Sequence, residues 1–467
     1  MEQKSDATLL KEQLFHNPKN GWQRVDDDTQ KEIMDFADGY CEFLGNAKTE
    51  REAVSLGVEM LEQAGFTPFS LQKSYRPGDR VYQINRGKSL IAAVIGEQPL
   101  EKGVRMVISH VDSPRLDLKP NPLYEADELA YFKTHYYGGI RKYQWPTVPM
   151  ALHGVVVRKD GTSVSVNIGE GENDPRFVVT DLLPHLSAEQ NKRTLADGIR
   201  GEELNLLVGS MPFKDEKESQ LVKLNCLNIL YEKYGITEGD FLSAELEIVP
   251  AGKPMDIGLD RSLIGGYGHD DRVCAYPSLM ATVDVIVPHQ TVVTVLADKE
   301  EIGSIGNTGL QSNFLTYFIE DLASCFGCSG HRVLSNSTCL SADVNAAFDP
   351  TFCEPFERNN SCYVNYGAVV TKYTGARGKS GSSDASAEFM GKIRGLLDEA
   401  EVVWQTGELG KVDAGGGGTV AGYVANLNVD VVDLGVPVLS MHSPFEVISK
   451  LDLFMAYKAM EAFYEAE

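Results

Sequence analysis

The residues best suited to chemistry are acidic and imidazole side chains that recur where apolar runs end. His110 and Asp112 follow the apolar run 104–108, and Asp270 and Asp271 stand in the turn Gly268-His269-Asp270-Asp271-Arg272, ahead of an expected helix. Glu300 and Glu301 follow a strand-like run over 291–297, Asp343 follows Leu340-Ser341-Ala342, and His442 follows Val438-Leu439-Ser440-Met441. Each alone has an ordinary explanation: Asp270 could cap a helix, Glu301 could be a solvated acid, and His442 could be a partly buried histidine with its own partner. Together, two imidazoles and three or more carboxylates make a mixed nitrogen–oxygen set suited to zinc, manganese or cobalt. A carboxylate such as Asp270 can bridge two ions roughly 3.5–4 Å apart. One ion would also take His110 and Asp343, the other Glu301 and His442. That leaves one acid of the adjacent pair free for proton transfer, and an Asp two residues past a His free to orient it. Spacing along the chain does not bring these ends together in space, so the expectation of a dinuclear hydrolase rests on the composition of the set.

The elements that would carry these residues are also marked in the sequence. Thr49-Glu50-Arg51-Glu52 has the form of a capping box, and the helix it opens stops near Gly65. The runs 89–95 and 104–108 read as strands, the second buried on both faces, and polar residues at the carboxyl end of such a strand sit where open α/β sheets bind ligands. From about 115 to 265 the texture changes to short alternating runs (150–157, 163–168, 177–182 and 244–249) split by Gly, Asn, Asp and Pro, the sequence form of an antiparallel β region. Within it, 187–220 reads as a long polar loop. The α/β texture then returns, with helices expected from about Arg272, near Phe314 and after Ser383, and strands at 291–297, 339–342, near Val402 and near Val431. A closing helix is expected with Ser443 as N-cap, Pro444 at its first position and Glu446 completing a capping box. The simplest architecture is one α/β domain interrupted by a β-rich insertion, with segments 1–114, 115–263 and 264–467.

Composition narrows the function classes. The 467 residues carry 43 Lys plus Arg against 67 Asp plus Glu, a formal charge of −24, which repels phosphate backbones and anionic membrane surfaces. No apolar run reaches the ~20 residues of a membrane span, and the start lacks the pattern of a secretory signal, so no nucleic acid, no membrane and a cytoplasmic location are expected. Eight dispersed cysteines suit a reducing compartment. Cys325 and Cys328, a lone C-x-x-C, read as two buried thiols near a helix end.

Taken in order, the motifs are specific as a set. They are Ser109-His110-Val111-Asp112-Ser113-Pro114-Arg115, the Asp270-Asp271-Arg272 turn, Asp298-Lys299-Glu300-Glu301-Ile302-Gly303-Ser304, Leu340-Ser341-Ala342-Asp343, Gly415-Gly416-Gly417-Gly418-Thr419 and Met441-His442-Ser443. The chain resembles, from its first helices to its C-terminus, the aspartyl aminopeptidase family, which includes the vacuolar aminopeptidase, among the dinuclear zinc exopeptidases. The resemblance implies a three-layer α/β catalytic domain with an inserted β-rich dimerisation domain at about 115–263, and dimers assembled into a dodecamer. It implies His110, Asp270, Glu301, Asp343 and His442 as metal ligands with Asp270 bridging, Glu300 as general base and Asp112 as the orienter of His110.

The resemblance also suggests substrate contacts. His185 resembles a histidine that the family's insertion brings to a substrate site, although a plain buried histidine explains it as well. Lys372 is a candidate contact, although a lone lysine after a strand is more often solvated, and Gly417, Gly418 and Thr419 belong to a loop whose backbone could approach substrate, or simply make a tight turn. One departure bears on specificity: where the eukaryotic aspartyl enzymes carry a histidine three residues after the metal-binding Asp, this chain has Ala346. The expectation is therefore a metal-dependent aminopeptidase acting on short peptides, with two divalent ions, zinc or else manganese or cobalt. The rival expectations are a carboxypeptidase or deacylase with the same centre, and a non-catalytic assembly or cargo protein of the same fold.

Overall fold

Strands that are apolar at nearly every position must be covered on both faces, and here they form the middle of a nine-stranded sheet. The computed structural model describes residues 5–16, 18–215 and 217–467. Val292–Ala297, Arg105–His110, Thr338–Ala342 and Asp430–Gly435 lie side by side and parallel, with Ser89–Val94 and Ala368–Thr371 antiparallel on either flank. Alternation along the strands sends Val107 and Leu340 into one apolar layer and Met106, Ile108 and Cys339 into the other. Helices Glu50–Gln63, His269–Asp284 and Lys450–Glu465 cover the first layer, and Phe314–Cys325 and Gly330–Ser335 cover the second. The register pairs Ala297 with His110 and Leu296 with Ser109. The two carboxyl ends are thus level, and their polar successors leave from one edge.

A separate seven-stranded sheet, antiparallel throughout, is built from Arg115–Ala126, Leu129–Tyr137, Met150–Val157, Ser163–Ile168, Val178–Val179, Leu206–Gly209 and Ala244–Pro250. It has its own core around the fully buried Trp145. A three-stranded sheet then joins Met255–Ile257, Leu263–Gly266 and Glu446–Ser449. The pairing of Gly266 with Glu446 matters most for the site, because it brings the Asp270 turn and His442 together from opposite ends of the catalytic segment.

Four local expectations are corrected. The closing helix does not start at Ser443: it runs Lys450–Glu465 with Ser449 as N-cap, whose hydroxyl accepts from Leu451 and Asp452 N–H. Ser443, Pro444 and Glu446 have the right letters for a capping box, but Glu446 begins a strand, and its carboxylate accepts backbone N–H groups elsewhere. Segment 187–220 is not all loop, since Leu206–Gly209 pairs with Leu129–Tyr137. The β-rich region also contains a helix, Leu221–Tyr234, whose continuous apolar and polar mixture hides its period. Cys325 and Cys328 are half-buried rather than buried; Cys325 ends a helix and the Cys328 thiol donates to the Ala323 carbonyl.

Arg272 braces the site from below. Fully buried, it donates to the Ser113 hydroxyl and to the Lys48 and Val111 carbonyls at 2.8, 3.0 and 3.1 Å. Gly268 allows this: its φ is +80, and a Cβ there would lie 2.0 Å from the guanidinium. Arg272→Met keeps the volume but leaves these acceptors dry, each worth about 1–3 kcal/mol when unpaired. The variant is expected to melt well below the parent by calorimetry at equal metal content; an unchanged melting temperature would show that water replaces the guanidinium.

Candidate metal centre

The centre forms at the carboxyl edge of the nine-stranded sheet. His110 is the last residue of its strand and Asp343 immediately follows Thr338–Ala342. Gly435 lets the neighbouring strand pass, since a Cβ there would lie 1.6 Å from the Asp343 carbonyl oxygen. Asp270 does not cap its helix: Gly268 holds the N-cap position, and Asp270 itself has non-helical dihedrals. On a regular strand, adjacent side chains diverge, so Glu300 and Glu301 can share a site only past the strand's end. Lys299 supplies the exit with φ +67, and Glu300–Ile302 form a single 3-10 turn that puts both glutamates on one cavity wall.

Asp270 stands between the two imidazoles. Its Oδ1 is 3.1 Å from His110 Nε2 and its Oδ2 is 3.0 Å from His442 Nε2. Asp343 Oδ1 is 3.8 Å from His110 Nε2, and Glu301 Oε1 is 3.4 Å from His442 Nε2. His110, Asp270 and Asp343 form one group that could hold a metal ion, and Asp270, Glu301 and His442 form another, with donor atoms within 4.8 Å of one another in each. Glu300 belongs to neither group; its Oε2 is 3.9 Å from His110 Nε2.

The electrostatics show what such a site lacks on its own. Burial, reinforced by the Asp343 charge, pushes the Glu300 carboxyl up to about 8. Burial and then Asp270 hold Glu301 well above the carboxylate range, and burial also raises Asp343. Burial alone would lower His442, but hydrogen bonding to Asp270 and the charge of Glu301 lift it to about 11. This is the pattern of an excess of buried negative charge, which cations relieve. Three inward atoms, His110 Nε2, Asp270 Oδ1 and Glu301 Oε1, are buried without a hydrogen-bond partner. Orphaned donor atoms of this kind, in a nitrogen–oxygen set, fit a zinc-type ion.

Further contacts orient the set. His110 Nδ1 donates to the Asp112 carbonyl at 3.0 Å and lies 3.4 Å from its Oδ1. The Asp112 carboxylate also accepts the Glu300 and Glu301 N–H groups, at 3.1 and 3.2 Å, and the Tyr137 hydroxyl at 2.8 Å. His442 Nδ1 donates to the Gly139 carbonyl at 2.8 Å. Glu446 accepts from Asp270 N–H and His442 N–H, at 3.1 and 2.7 Å. Tyr137, Gly139 and Glu446 escaped the reading of the sequence. The first two lie in the β-rich segment and carry no local signal; Glu446, four residues past His442, was legible only as a helix cap.

The substrate candidates divide. Gly417, Gly418 and Thr419 line the cavity beside the metal groups, and the Thr419 hydroxyl donates to Asp433 at 2.6 Å. Lys372 follows Thr371 but points outward, its Nζ 2.6 Å from Asp384 at the surface. His185 is exposed on the segment after Val178–Val179 and is not part of the cavity wall, nor is it a buried histidine.

Glu446 holds two backbone amides with two oxygens, so Glu446→Gln turns one acceptor into a donor facing an N–H group. Metal affinity or kcat/KM is expected to fall roughly 10–100-fold, as for loss of other outer partners of metal ligands. Metal titration alongside steady-state kinetics checks this, and unchanged values would mean that the amides are held by the surrounding strand alone.

Known proteins resemble this chain along nearly its whole length. The sequence model of the aminopeptidase I zinc metalloprotease family (M18) matches residues 43–464. A relative from Clostridium acetobutylicum named "Probable M18 family aminopeptidase 1" is 48% identical over 458 residues, covering 96% of this chain and 98% of its own. The crystal structure of the M18 aminopeptidase of Thermotoga maritima superposes with a TM-score of 0.93 at 42% identity, over 97% of this chain and 100% of that one. The mApe1 dodecamer of Saccharomyces cerevisiae shares the fold at a TM-score of 0.74 and 22% identity, over 92% of this chain and 97% of that one. With the family's model spanning nearly the whole chain and relatives this close, the chain belongs to the aminopeptidase I zinc metalloprotease family, M18.

Proposed function

We propose that this M18 zinc aminopeptidase removes the N-terminal residue of short peptides at a centre of two divalent ions, zinc in the first instance and manganese or cobalt as alternatives. One observation carries the reading: a single buried carboxylate, Asp270, offers one oxygen to each of two imidazoles, with Asp343 and Glu301 completing the two groups. When bound, such ions supply an activated water and polarise the scissile carbonyl. The chain's own residues do the rest. His110, Asp270, Asp343, Glu301 and His442 would hold the ions. Glu300, which borders the cavity without joining either group, takes the proton of the attacking water and delivers it to the leaving amine. Asp112 holds the His110 ring and, through two amide hydrogen bonds, the turn that presents Glu300.

We assign the catalytic part to residues 1–114 and 264–467 and pairing of chains to 115–263, with dimers building a dodecamer. Large apolar side chains exposed on that inserted segment support pairing, among them Leu182, Leu186, Leu195 and Met211 at 52–73% exposure. The solved yeast relative is itself a dodecamer. The described residues contain no helix long and apolar enough to cross a membrane, and all eight cysteines are free, which supports a reducing compartment such as the cytoplasm.

The two glutamates make the sharpest test. Glu300→Gln is expected to keep both ions and near-normal substrate binding while kcat falls roughly 10²–10⁴-fold. Glu301→Gln, like His442→Ala and Asp270→Asn, is expected to lower bound metal below two per chain, with activity partly restored at high metal concentration. Metal analysis and kinetics on the same preparations read both. If Glu300→Gln loses metal and Glu301→Gln does not, the roles are reversed; activity that survives verified removal of metal excludes this mechanism. Blocking the substrate's N-terminus should abolish cleavage, whereas a carboxypeptidase or deacylase would tolerate the block.

Sedimentation of active protein at micromolar concentration is expected to show a large homo-oligomer, and a monomer would remove the pairing role from the inserted segment.

A further inference from the structure

One hydroxyl from the seven-stranded sheet reaches the centre. Asp112 is fully buried, and both of its carboxylate oxygens accept. Oδ1 takes the Glu300 N–H at 3.1 Å and faces His110 Nδ1 at 3.4 Å, while Oδ2 takes the Glu301 N–H at 3.2 Å and the Tyr137 hydroxyl at 2.8 Å. The two amides belong to the single turn Glu300–Ile302, which is entered at Lys299 and left at Gly303, both with positive φ. That turn and the Asp112 carboxylate can shift together without breaking either amide bond. Tyr137 belongs to the other sheet and does not move with them, so its bond fixes the carboxylate against a separate frame.

The frame itself is restrained on both sides of Tyr137. The residue closes the strand Leu129–Tyr137, and the chain then runs beside the second metal group. Gly138, at φ +75, passes so near that a Cβ would lie 3.2 Å from Glu301 Oε2, and the Gly139 carbonyl accepts from His442 Nδ1 at 2.8 Å. The Tyr137 ring lies against the Arg115 guanidinium, 3.9 Å from the ring centroid. Arg115 is held in turn by Asp117, Glu247 and Glu50 at 2.8, 3.3 and 3.4 Å. Burial, with the Asp112 charge, pushes the Tyr137 hydroxyl well above its ordinary range, so it stays protonated and donates.

Resting on the aminopeptidase reading above, we infer that Tyr137 is a positioning residue for the reaction: its hydroxyl locks the Asp112 carboxylate, and through it both the His110 ring and the turn that presents Glu300. Without that hydroxyl, Oδ2 keeps a single donor in a buried site, and the carboxylate is free to rotate with the turn. A displacement of about 1 Å in the ring or the turn misdirects a metal donor or the proton acceptor, which is costly in rate.

Tyr137→Phe removes one oxygen and keeps the ring against Arg115, so the variant is expected to fold and sediment as the parent does. With saturating metal and substrate, kcat is expected to fall roughly 10–100-fold with KM little changed. Cobalt titration of metal-free protein, followed by absorbance, is expected to show weaker binding in one of two steps, that of the group His110, Asp270 and Asp343. Phe132→Leu serves as the control, because it loosens the core under the same strand without touching Asp112. It is expected to lower the melting temperature and to leave kcat and both cobalt steps at parental values. A fall in kcat alone, or in cobalt affinity alone, that Phe132→Leu does not share supports the inference and assigns the effect to the Glu300 turn or to the His110 ring. Parental kcat together with parental cobalt affinity in Tyr137→Phe overturns it, as does an equal loss in Phe132→Leu, which would make the stability of the sheet the cause. If the protein cleaves no peptide, the aminopeptidase reading fails, and the cobalt titration still decides whether Tyr137 positions His110.

Discussion

Everything at the functional edge of this protein answers to one constraint: several carboxylates are buried together with few cationic groups against them. Asp270, Glu300, Glu301 and Asp343 line one pocket, with Asp271 buried close behind them and only two imidazoles against them, and burial raises all but Asp270. Asp270 is the exception, held low by the His110 and His442 imidazoles on either side of it, which outweigh its burial. A group that remains ionised between two imidazoles, while its neighbours are pushed toward protonation, is the natural pivot for shared ions.

Such a pocket demands rigid scaffolding, because misplaced charge in a dry site is worse than none. The chain meets the demand with contacts that each serve two parts of the centre. Asp112 ties the His110 ring to the turn carrying Glu300 and Glu301. Glu446 ties the Asp270 backbone to the His442 backbone. Arg272 ties the strand end at Val111 and Ser113 to the helix that follows the Asp270 turn.

The seven-stranded sheet also reaches into the centre. Tyr137, at the end of one of its strands, donates to Asp112, and the Arg115 guanidinium packs 3.9 Å from the Tyr137 ring. Gly139, just beyond, accepts from His442. Arg115 in turn meets Glu50 and Glu247 in a buried network that joins this sheet to the helix Glu50–Gln63. The segment proposed to pair chains is thereby joined by hydrogen bonds to His442 directly and to His110 through Asp112.

Much of the centre was legible without coordinates because its chemistry is written in residue type at strand ends. A short, nearly apolar run such as 104–108 reads as a covered strand, which puts His110 at a sheet edge; the same holds for Glu300, Glu301 and Asp343. Side-chain period likewise required an exit before both glutamates could share a wall, and Lys299 makes it. What the sequence could not determine was proximity and partnership. Ser443-Pro444-Phe445-Glu446 satisfies the local grammar of a helix start, yet it becomes a turn and a strand, because pairing with Leu263–Gly266 and accepting two amides at the centre outweigh one local cap. His185 and Lys372 were candidates by resemblance alone, and their positions at the surface follow from loop paths with no periodicity to read. Tyr137 and Gly139 acquire their roles only through contacts across 25 and 303 positions of chain, distances over which residue type carries no information and three-dimensional packing carries all of it.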